Sequence, residues 1–185
     1  PRIRLLFLRN SILTIFIILF LDQALKLWIK SSYELNDLIG QWWIVKIHFI
    51  ENPGMAFGWS FGNLWGKIAL SLFRVIAVVF IGLYIRRLIR SNAHKVYVFC
   101  ISMIFAGAFG NIIDSAFYGL LFDTGTVWNS DYNNWIDYNG ISNMNFEGYG
   151  GFLQGCVVDM IHLDFNWPNW MPFGLGGNEV FPPVF

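Results

Sequence analysis

Five carboxylate and carboxamide side chains lie at the edges of apolar stretches, where a polar group is costly unless it has a partner. These residues are Asp22, Asn52, Asn111, Asp114 and Asp159. Asp159 is the most conspicuous, because it interrupts the apolar run "GCVVDM" (155–160). Carboxylates can transfer protons, and carboxamides can hold a peptide backbone or another carboxylate. The residues therefore permit two classes of protein: an acid–base hydrolase at a membrane surface, or a transporter with a proton or ion relay.

Most of these residues also have a purely structural interpretation. Asp22 and Lys26 are four residues apart, as in an ion pair along one face of a helix. Asn111 and Asp114 are three apart and share a helical face, which is equally typical of a polar cluster at a helix end. Asn52 precedes a Pro-Gly pair and is by itself most often a turn residue.

Four further residues have side chains that could take part in chemistry. Arg74 lies within an apolar stretch, where snorkelling or a structural partner is expected. His162 would share a face with Asp159 if that segment were helical. The two cysteines, Cys100 and Cys156, fit no metal-ligand spacing, so we expect no metal site.

Composition and apolar runs indicate a membrane protein. Of the 185 residues, 56% are hydrophobic and 13% are charged, whereas soluble domains average about 25% charged. Apolar stretches at 11–29, 65–88 and 96–119 are each long enough to cross a bilayer, which needs roughly 20 residues. Three spans without repeated, broken halves argue against a transporter. A net charge of zero gives no support for nucleic-acid binding.

The basic residues predict an orientation. The segment before the first span and residues 86–95 together hold seven of the twelve basic residues and no acidic one. The positive-inside rule places both segments in the cytoplasm. Residues 30–63, and the chain after about residue 118, then face the opposite side. No Lys or Arg occurs in 119–185, in agreement with this orientation.

The outer segments have patterns of their own. Alternating apolar and polar residues at 43–50 predict a strand, "ENPG" (51–54) predicts a turn, and 55–59 is a candidate returning strand. Residues 123–154 are rich in Asn, Gly, Tyr and Trp. This composition is typical of an exposed loop with aromatic side chains available for the membrane interface or a partner.

Several short motifs follow one another in a specific order. They are "LDQALK" (21–26), "ENPGMAF" (51–57), "GAFGNIIDS" (107–115), "VVDM" (157–160) and "FPPVF" (181–185). In this order, and between spans of this polarity, they resemble the lipoprotein signal peptidase (signal peptidase II) family over essentially the whole chain. The resemblance implies a four-span membrane aspartic endopeptidase with a small β-rich element after the first span. Such an enzyme removes the signal peptide from a prolipoprotein, cleaving before a cysteine that already carries diacylglycerol.

The resemblance also implies roles for individual residues. Asp159 matches the first aspartate of a catalytic dyad that activates water. The second aspartate belongs to an Asn-x-Ala-Asp element expected beyond Phe185, followed by a fourth span and a basic tail. Site support or substrate contact is implied for the other matched residues, namely Asp22, Lys26, Asn52, Asn111 and Asp114. The family mechanism requires no metal or organic cofactor.

The sequence departs from the family pattern at two places. Ser115 stands where the family usually has Arg, so a basic contact to substrate or lipid is either absent or supplied elsewhere. Residues 120–154 intervene before "VVDM", and we interpret them as an extracytoplasmic insertion.

The sequence thus predicts an all-α integral membrane protein, a four-helix bundle with three visible spans and a small extracytoplasmic β-hairpin. Residues 1–185 form one peptidase domain that is expected to continue past Phe185. Its expected partners are diacylglyceryl prolipoproteins and membrane lipid. Its expected location is the bacterial inner membrane, with a cytoplasmic N-terminus and an active site at the outer face. The alternatives are an inactive homologue that binds lipidated proteins and a polar-relay transporter.

Overall fold

Three long apolar helices dominate the computed structural model, which describes residues 2–54, 63–163 and 169–170. Helix α1 is Arg2–Lys30, α2 is Leu64–Arg90 and α3 is Lys95–Ile113. The stretches Leu5–Lys30, Leu64–Arg90 and Lys95–Leu121 are long and apolar enough to cross a bilayer. Their outer surfaces stay apolar and exposed, as bilayer-facing surfaces do. The three predicted spans are confirmed, and the protein is a multi-pass membrane protein.

The connection between α2 and α3 is short, and backbone hydrogen bonds close the C-terminal end of α2. Ala93 N–H donates to Leu88 O (3.0 Å), and Asn92 N–H donates to Ile89 O (3.4 Å). Asn92 has a φ of 54°, a left-handed conformation that Asn tolerates well. Arg87 and Arg90 lie in the last turn of α2, where positive charge favours the helix dipole. The two helices therefore return as close antiparallel neighbours.

The C-terminal end of the third span is not a regular α-helix. After α3 the chain forms a π-helical turn, Asp114–Tyr118, and a last helical turn, α4, Gly119–Leu121. A π turn widens the helix and commonly marks a functional region. Here it begins at one of the polar residues singled out from the sequence, Asp114.

A three-stranded antiparallel sheet packs against the C-terminal ends of α1 and of the third span. Its strands are β1 (Leu38–Trp42), β2 (Val45–Asn52) and β5 (Val157–Leu163), in the order β1-β2-β5. Glu51 pairs with Val158 and Asn52 with Val157. Small antiparallel sheets therefore accompany the helices, as expected for the β-rich element.

Two local predictions need correction, and one conditional interpretation does not apply. The strand predicted at 43–50 runs from Val45 to Asn52, so the turn predicted at 51–54 begins two residues too early. The reason is that β5 offers Glu51 and Asn52 a partner strand. The segment around Asp159 is strand β5 and not a helix. Asp159 and His162 are three residues apart in this strand, so they point to opposite faces of the sheet. The returning strand suggested at 55–59 lies outside the described residues.

The predicted insertion is more ordered than an exposed loop. It holds a hairpin of β3 (Val127–Asn129) and β4 (Asn134–Ile136). The Asp123 carboxylate accepts hydrogen bonds from Asn143 N–H (2.8 Å) and Asn143 Nδ2 (3.2 Å), and these lower the pKa of Asp123. The hairpin tip is exposed, whereas Thr126 and Ser142 are buried. The segment is therefore partly packed into the fold.

Apolar packing is concentrated at the two ends of the bundle. One buried cluster lies beneath the sheet, at Ile29, Phe49, Tyr118, Phe122 and Val158. A second lies near the α2–α3 turn, at Ile85, Leu88, Ile89 and Val98. The first cluster joins α1, the end of the third span and the strands β2 and β5, so it sets the position of the sheet over the helices.

Gly155 permits the close approach of β5 to the third span. A Cβ at this position would overlap the Asp114 carbonyl oxygen and Gly119 N, both backbone atoms that cannot rotate away. We predict that Gly155→Ala lowers the free energy of unfolding by about 1–3 kcal/mol through overpacking.

The measurement is thermal unfolding of the purified protein in detergent. Gly40→Ala in β1 is the control, because nothing lies within 4 Å of a Cβ built there. Equal stability of the two variants would contradict the packing argument.

Candidate active site

The side chain of Lys26 joins three of the predicted site residues near the C-terminal end of α1. Its Nζ lies 2.6 Å from Asp114 Oδ2, 2.9 Å from Asn111 Oδ1 and 3.4 Å from Asp22 Oδ2. Lys26 is 3% exposed and Asp114 is 0% exposed, so this is a buried ion pair with a carboxamide and a second carboxylate beside it. The i,i+4 pair of Asp22 and Lys26 that the sequence suggested is therefore present, but the shorter contact of Lys26 is with Asp114, in the π turn that follows α3.

Asp114 connects the helices to the sheet. One oxygen accepts a hydrogen bond from Gln23 Nε2 (2.9 Å). The other accepts from Lys26 and from Val158 N–H (3.3 Å). Val158 directly precedes Asp159, so the third span holds the strand that carries the candidate catalytic carboxylate.

The close contact of α1 and α3 at this level depends on a small residue. A Cβ at Gly110 would overlap Asp22 Oδ2, and the Gly110 carbonyl accepts from Gln23 Nε2 at 3.4 Å. Gly107, one turn earlier, has nothing within 4 Å of a Cβ built there. Glycine at 110 therefore lets the polar groups of α1 reach those of the third span.

Asn52 and Asp159 lie together on neighbouring strands. Asn52 Nδ2 donates to Asp159 Oδ2 at 3.1 Å, and Asn52 Oδ1 accepts from Gly54 N–H at 2.8 Å. The second bond fixes the amide, because its oxygen is turned to the backbone and its NH₂ group is turned to the carboxylate. Gly54 has a φ of 119°, a conformation that the following bend requires and that glycine adopts without strain.

The surroundings of Asp159 favour its protonated form. Desolvation by the neighbouring protein raises the pKa of this carboxyl, although the residue keeps an exposed edge. The hydrogen bond from Asn52 and the charges of Lys26 and Arg74 lower the pKa, while Asp22 raises it. Arg74 on α2 thus faces the same region as Lys26 on α1. The balance suits a group that must gain and lose a proton.

Ser115 lies in the π turn, next to Asp114. It is 1% exposed, and its carbonyl accepts a hydrogen bond from Gly155 N–H at 3.0 Å. A buried serine in this position is a packing residue and offers no positive charge.

Within the ranges described by the structure, no group of three or more His, Cys, Asp and Glu side chains is arranged to hold a metal ion. The carboxylates described above are instead satisfied by Lys, Asn, Gln and backbone N–H groups.

Comparison with known proteins identifies the family. The pattern of the family described as signal peptidase (SPase) II matches residues 14–180. The chain belongs to the signal peptidase II family. The resemblance drawn from its motifs is thereby confirmed, and the protein is assigned to a family of membrane hydrolases that act as proteases.

Relatives from several bacteria support this assignment. The chain is 37% identical over 181 residues to the lipoprotein signal peptidase of Porphyromonas gingivalis strain ATCC 33277, a match that covers 92% of this chain and 72% of the relative. It is 32% identical over 175 residues to that of Amoebophilus asiaticus, covering 89% and 65%. It is 34% identical over 134 residues to that of Clostridioides difficile strain 630, covering 66% and 81%. No solved structure matches the chain significantly.

The structure brings the predicted site residues of this signal peptidase II family member into two adjoining groups. One comprises Asp22, Lys26, Asn111 and Asp114, and the other is the pair of Asn52 and Asp159. Val158 and Asp114 connect the groups. The second predicted aspartate, the "FPPVF" motif and residues 55–57 of "ENPGMAF" lie outside the described residues.

Sequence reasoning missed polar residues in and beside this region. Gln23 holds Asp114, and Lys30 forms a buried ion pair with Glu51. The spacing contained a signal for Lys30, because it continues the four-residue series of Asp22 and Lys26 along α1. Glu51 is the first residue of "ENPG", but no nearby residue in the sequence indicates that it pairs with Lys30.

Removing Lys26 tests its support of the site. We predict that Lys26→Met destabilises the protein by about 3–5 kcal/mol, because the buried Asp114 carboxylate is left without its counter-charge. The double variant Lys26→Met/Asp114→Asn should recover part of the loss, because no unpaired charge remains.

Thermal unfolding in detergent measures both variants. Arg86→Met is the control, since it removes a positive charge from an exposed side chain of α2. Additive effects of the two site substitutions would show that Lys26 and Asp114 do not stabilise each other.

Proposed function

We propose that the protein removes the signal peptide from diacylglyceryl-modified prolipoproteins, cleaving before the lipidated cysteine, and that Asp159 is one member of its catalytic pair. The observation that carries this proposal is the Asn52–Asp159 hydrogen bond. It holds a carboxylate at the end of three apolar helices, in a member of the signal peptidase II family. The second carboxylate of the pair is the aspartate expected beyond Phe185.

Two neighbouring carboxylates suit hydrolysis without a covalent intermediate. Like charges in a low-dielectric site resist double ionisation, so one carboxyl stays protonated while the other is ionised. The protonated member donates to the scissile carbonyl, and the ionised member accepts a proton from water as the water attacks. Such a pair titrates as a unit, and the raised pKa of Asp159 is in keeping with either role.

The group around Lys26 would support this chemistry without breaking bonds. Asp114 already accepts three hydrogen bonds, and Lys26 is surrounded by acceptors. Neither is free to exchange protons with a substrate. Their role is to fix α1 against the third span and to anchor β5 through Val158 N–H. Asn52 would orient Asp159. Asp22 and Asn111 would support the site through their contacts with Lys26.

Arg74 is the residue that would replace the missing family arginine. Ser115 supplies no charge. The positive charge of Arg74 on α2 interacts favourably with the carboxylates of Asp159 and Asp114. A cation in this position can attract the substrate carbonyl or a lipid phosphate at the membrane boundary.

The orientation proposed from charge puts the N-terminus in the cytoplasm and the sheet, the site and residues 120–154 outside. A fourth span beyond the described residues would then close the bundle within one domain. The substrate's signal helix and acyl chains would hold it in the bilayer. Binding energy from these remote parts would position the scissile bond at the outer boundary.

Asp159→Asn should abolish cleavage, because the amide keeps the shape and loses the titrating proton. Removal of a general acid or base typically costs about 10²–10⁴-fold. The assay is cleavage of a diacylglyceryl prolipoprotein by purified protein in detergent or lipid.

Asp131→Asn, in the exposed insertion, is the matched control and should cleave normally. Near-normal turnover by Asp159→Asn would refute the assignment of Asp159. An inactive wild-type chain that still binds the lipidated substrate would point instead to a binding homologue.

The orientation has a separate test. A cysteine at Ser130, in the exposed β3–β4 turn beside Asn133, should react in intact cells with a thiol reagent that cannot cross the inner membrane. Cysteine at His94, in the exposed α2–α3 turn, should react only after the membrane is permeabilised.

Both substitutions are made after Cys100→Ser, because Cys100 is exposed whereas Cys156 is buried. The opposite labelling pattern would invert the proposed topology.

A further inference from the structure

The sheet has a second polar centre on the face opposite Asp159. Successive side chains of a strand alternate between faces, so Asn52 and Asp159 share one face while Glu51 and Val158 share the other. On that rear face Glu51 forms an ion pair with Lys30, and both side chains are 0% exposed. Lys30 lies one helical turn beyond Lys26 on α1 and makes none of the contacts of the candidate site described above.

The 120–154 segment supplies the remaining partners of this ion pair. Tyr138 Oη donates to Glu51 Oε1 at 3.1 Å, and Thr126 N–H donates to Glu51 Oε2 at 2.9 Å. Lys30 Nζ donates to Thr124 O at 3.0 Å. It also lies near the centres of three aromatic rings, at 4.9 Å from Phe122, 5.0 Å from Tyr138 and 5.3 Å from Tyr149. Both oxygens of Glu51 are therefore held by groups of the insertion.

The same segment also holds β5. Cys156 N–H donates to Tyr149 Oη at 2.9 Å, and Cys156 Sγ donates to Thr126 O at 3.2 Å. Lys67 Nζ on α2 lies 3.0 Å from that sulfur. Burial raises the pKa of the Cys156 thiol, which keeps it as a neutral donor. Thr126 thus binds Glu51 in β2 and Cys156 directly before β5. These are the two strands that carry Asn52 and Asp159.

We propose that Glu51 is a positioning residue of the peptidase, and that the 120–154 segment, by fixing Glu51 and Cys156 together, sets the contact between Asn52 and Asp159. Glu51 is the peptide neighbour of Asn52, so a carboxylate fixed on the rear face leaves the Asn52 backbone little freedom. Cys156 stands three residues before Asp159 and fixes the start of β5. The insertion is on this view a working part of the catalytic unit. The inference rests on the proposed function of Asp159.

A weaker contact between Asn52 and Asp159 would change the pKa of Asp159. In the described residues its carboxyl is faced by Asn52 from β2, by Lys26 and Asp22 from α1, and by Arg74 from α2. The Asn52 hydrogen bond lowers the pKa, so loosening it raises the pKa. The ionised fraction at a given acidic pH then falls, and the acid limb of the pH profile of kcat/KM moves to higher pH. A displaced group also lowers kcat more than it changes KM.

The test compares pH profiles per folded molecule for Glu51→Gln and for the charge-neutral pair Lys30→Met/Glu51→Met. The double variant covers the case in which Glu51→Gln fails to fold, because it leaves no unpaired buried charge. We expect kcat to fall on the order of 10- to 100-fold with KM little changed. The acid limb should move in the same direction as in Asn52→Ala. Tyr138→Phe should show a smaller shift, with Tyr132→Phe on the exposed turn as its unshifted control.

The outcomes separate the inference from the proposed function. A double variant that folds and keeps wild-type kcat and pH profile, while Asp159→Asn is inactive, would overturn the positioning role and leave an ion pair that only stabilises. A folded double variant with lowered kcat and a shifted limb supports the role. Normal cleavage by Asp159→Asn would refute the proposed function and the inference together.

Discussion

The buried contact between Lys26 and Asp114 is the interaction on which the arrangement of this protein depends. A carboxylate that is 0% exposed at the end of an apolar helix is costly unless its charge is matched and its oxygens are hydrogen-bonded. Lys26 and Gln23 satisfy that requirement from α1, and Val158 N–H satisfies it from β5. The same carboxylate therefore fixes the helix pair, the π turn and the strand of Asp159. Glycine at 110 lets α1 approach the third span closely, and glycine at 155 does the same for the chain leading into β5.

The contacts between the helices could be predicted from helical spacing, whereas the pairing of the strands could not be predicted from the sequence. The four-residue interval of Asp22 and Lys26 and the three-residue interval of Asn111 and Asp114 each define one helical face. The structure brings these faces together. The length of the apolar runs likewise gave three spans whose ends lie within two residues of those observed, except that the first span begins at Leu5 and not at residue 11.

The pairing of β2 with β5 could not be predicted in this way. The run "GCVVDM" has no period-2 alternation that would indicate a strand, and Glu51 meets Lys30, Tyr138 and Thr126 only after distant segments have folded. Local patterns specify which face of an element is polar, whereas the partner of that face is set by tertiary packing. The order within residues 120–154 was missed for the same reason, since its buried Thr126 and Ser142 are polar residues of a kind typical of loops.

The hydrogen bond between Asn52 and Asp159 joins residues 107 positions apart in the chain. Two long apolar helices and the 120–154 segment lie between them, and non-local strand pairing of this kind is slow to form. During synthesis, Asn52 must wait on an unpaired strand edge until β5 has emerged and aligned. A register error of one residue would turn the carboxylate to the wrong face of the sheet. With Asp159 in its proposed role, activity would begin only when assembly in the membrane is complete, because no partly made chain contains the paired groups.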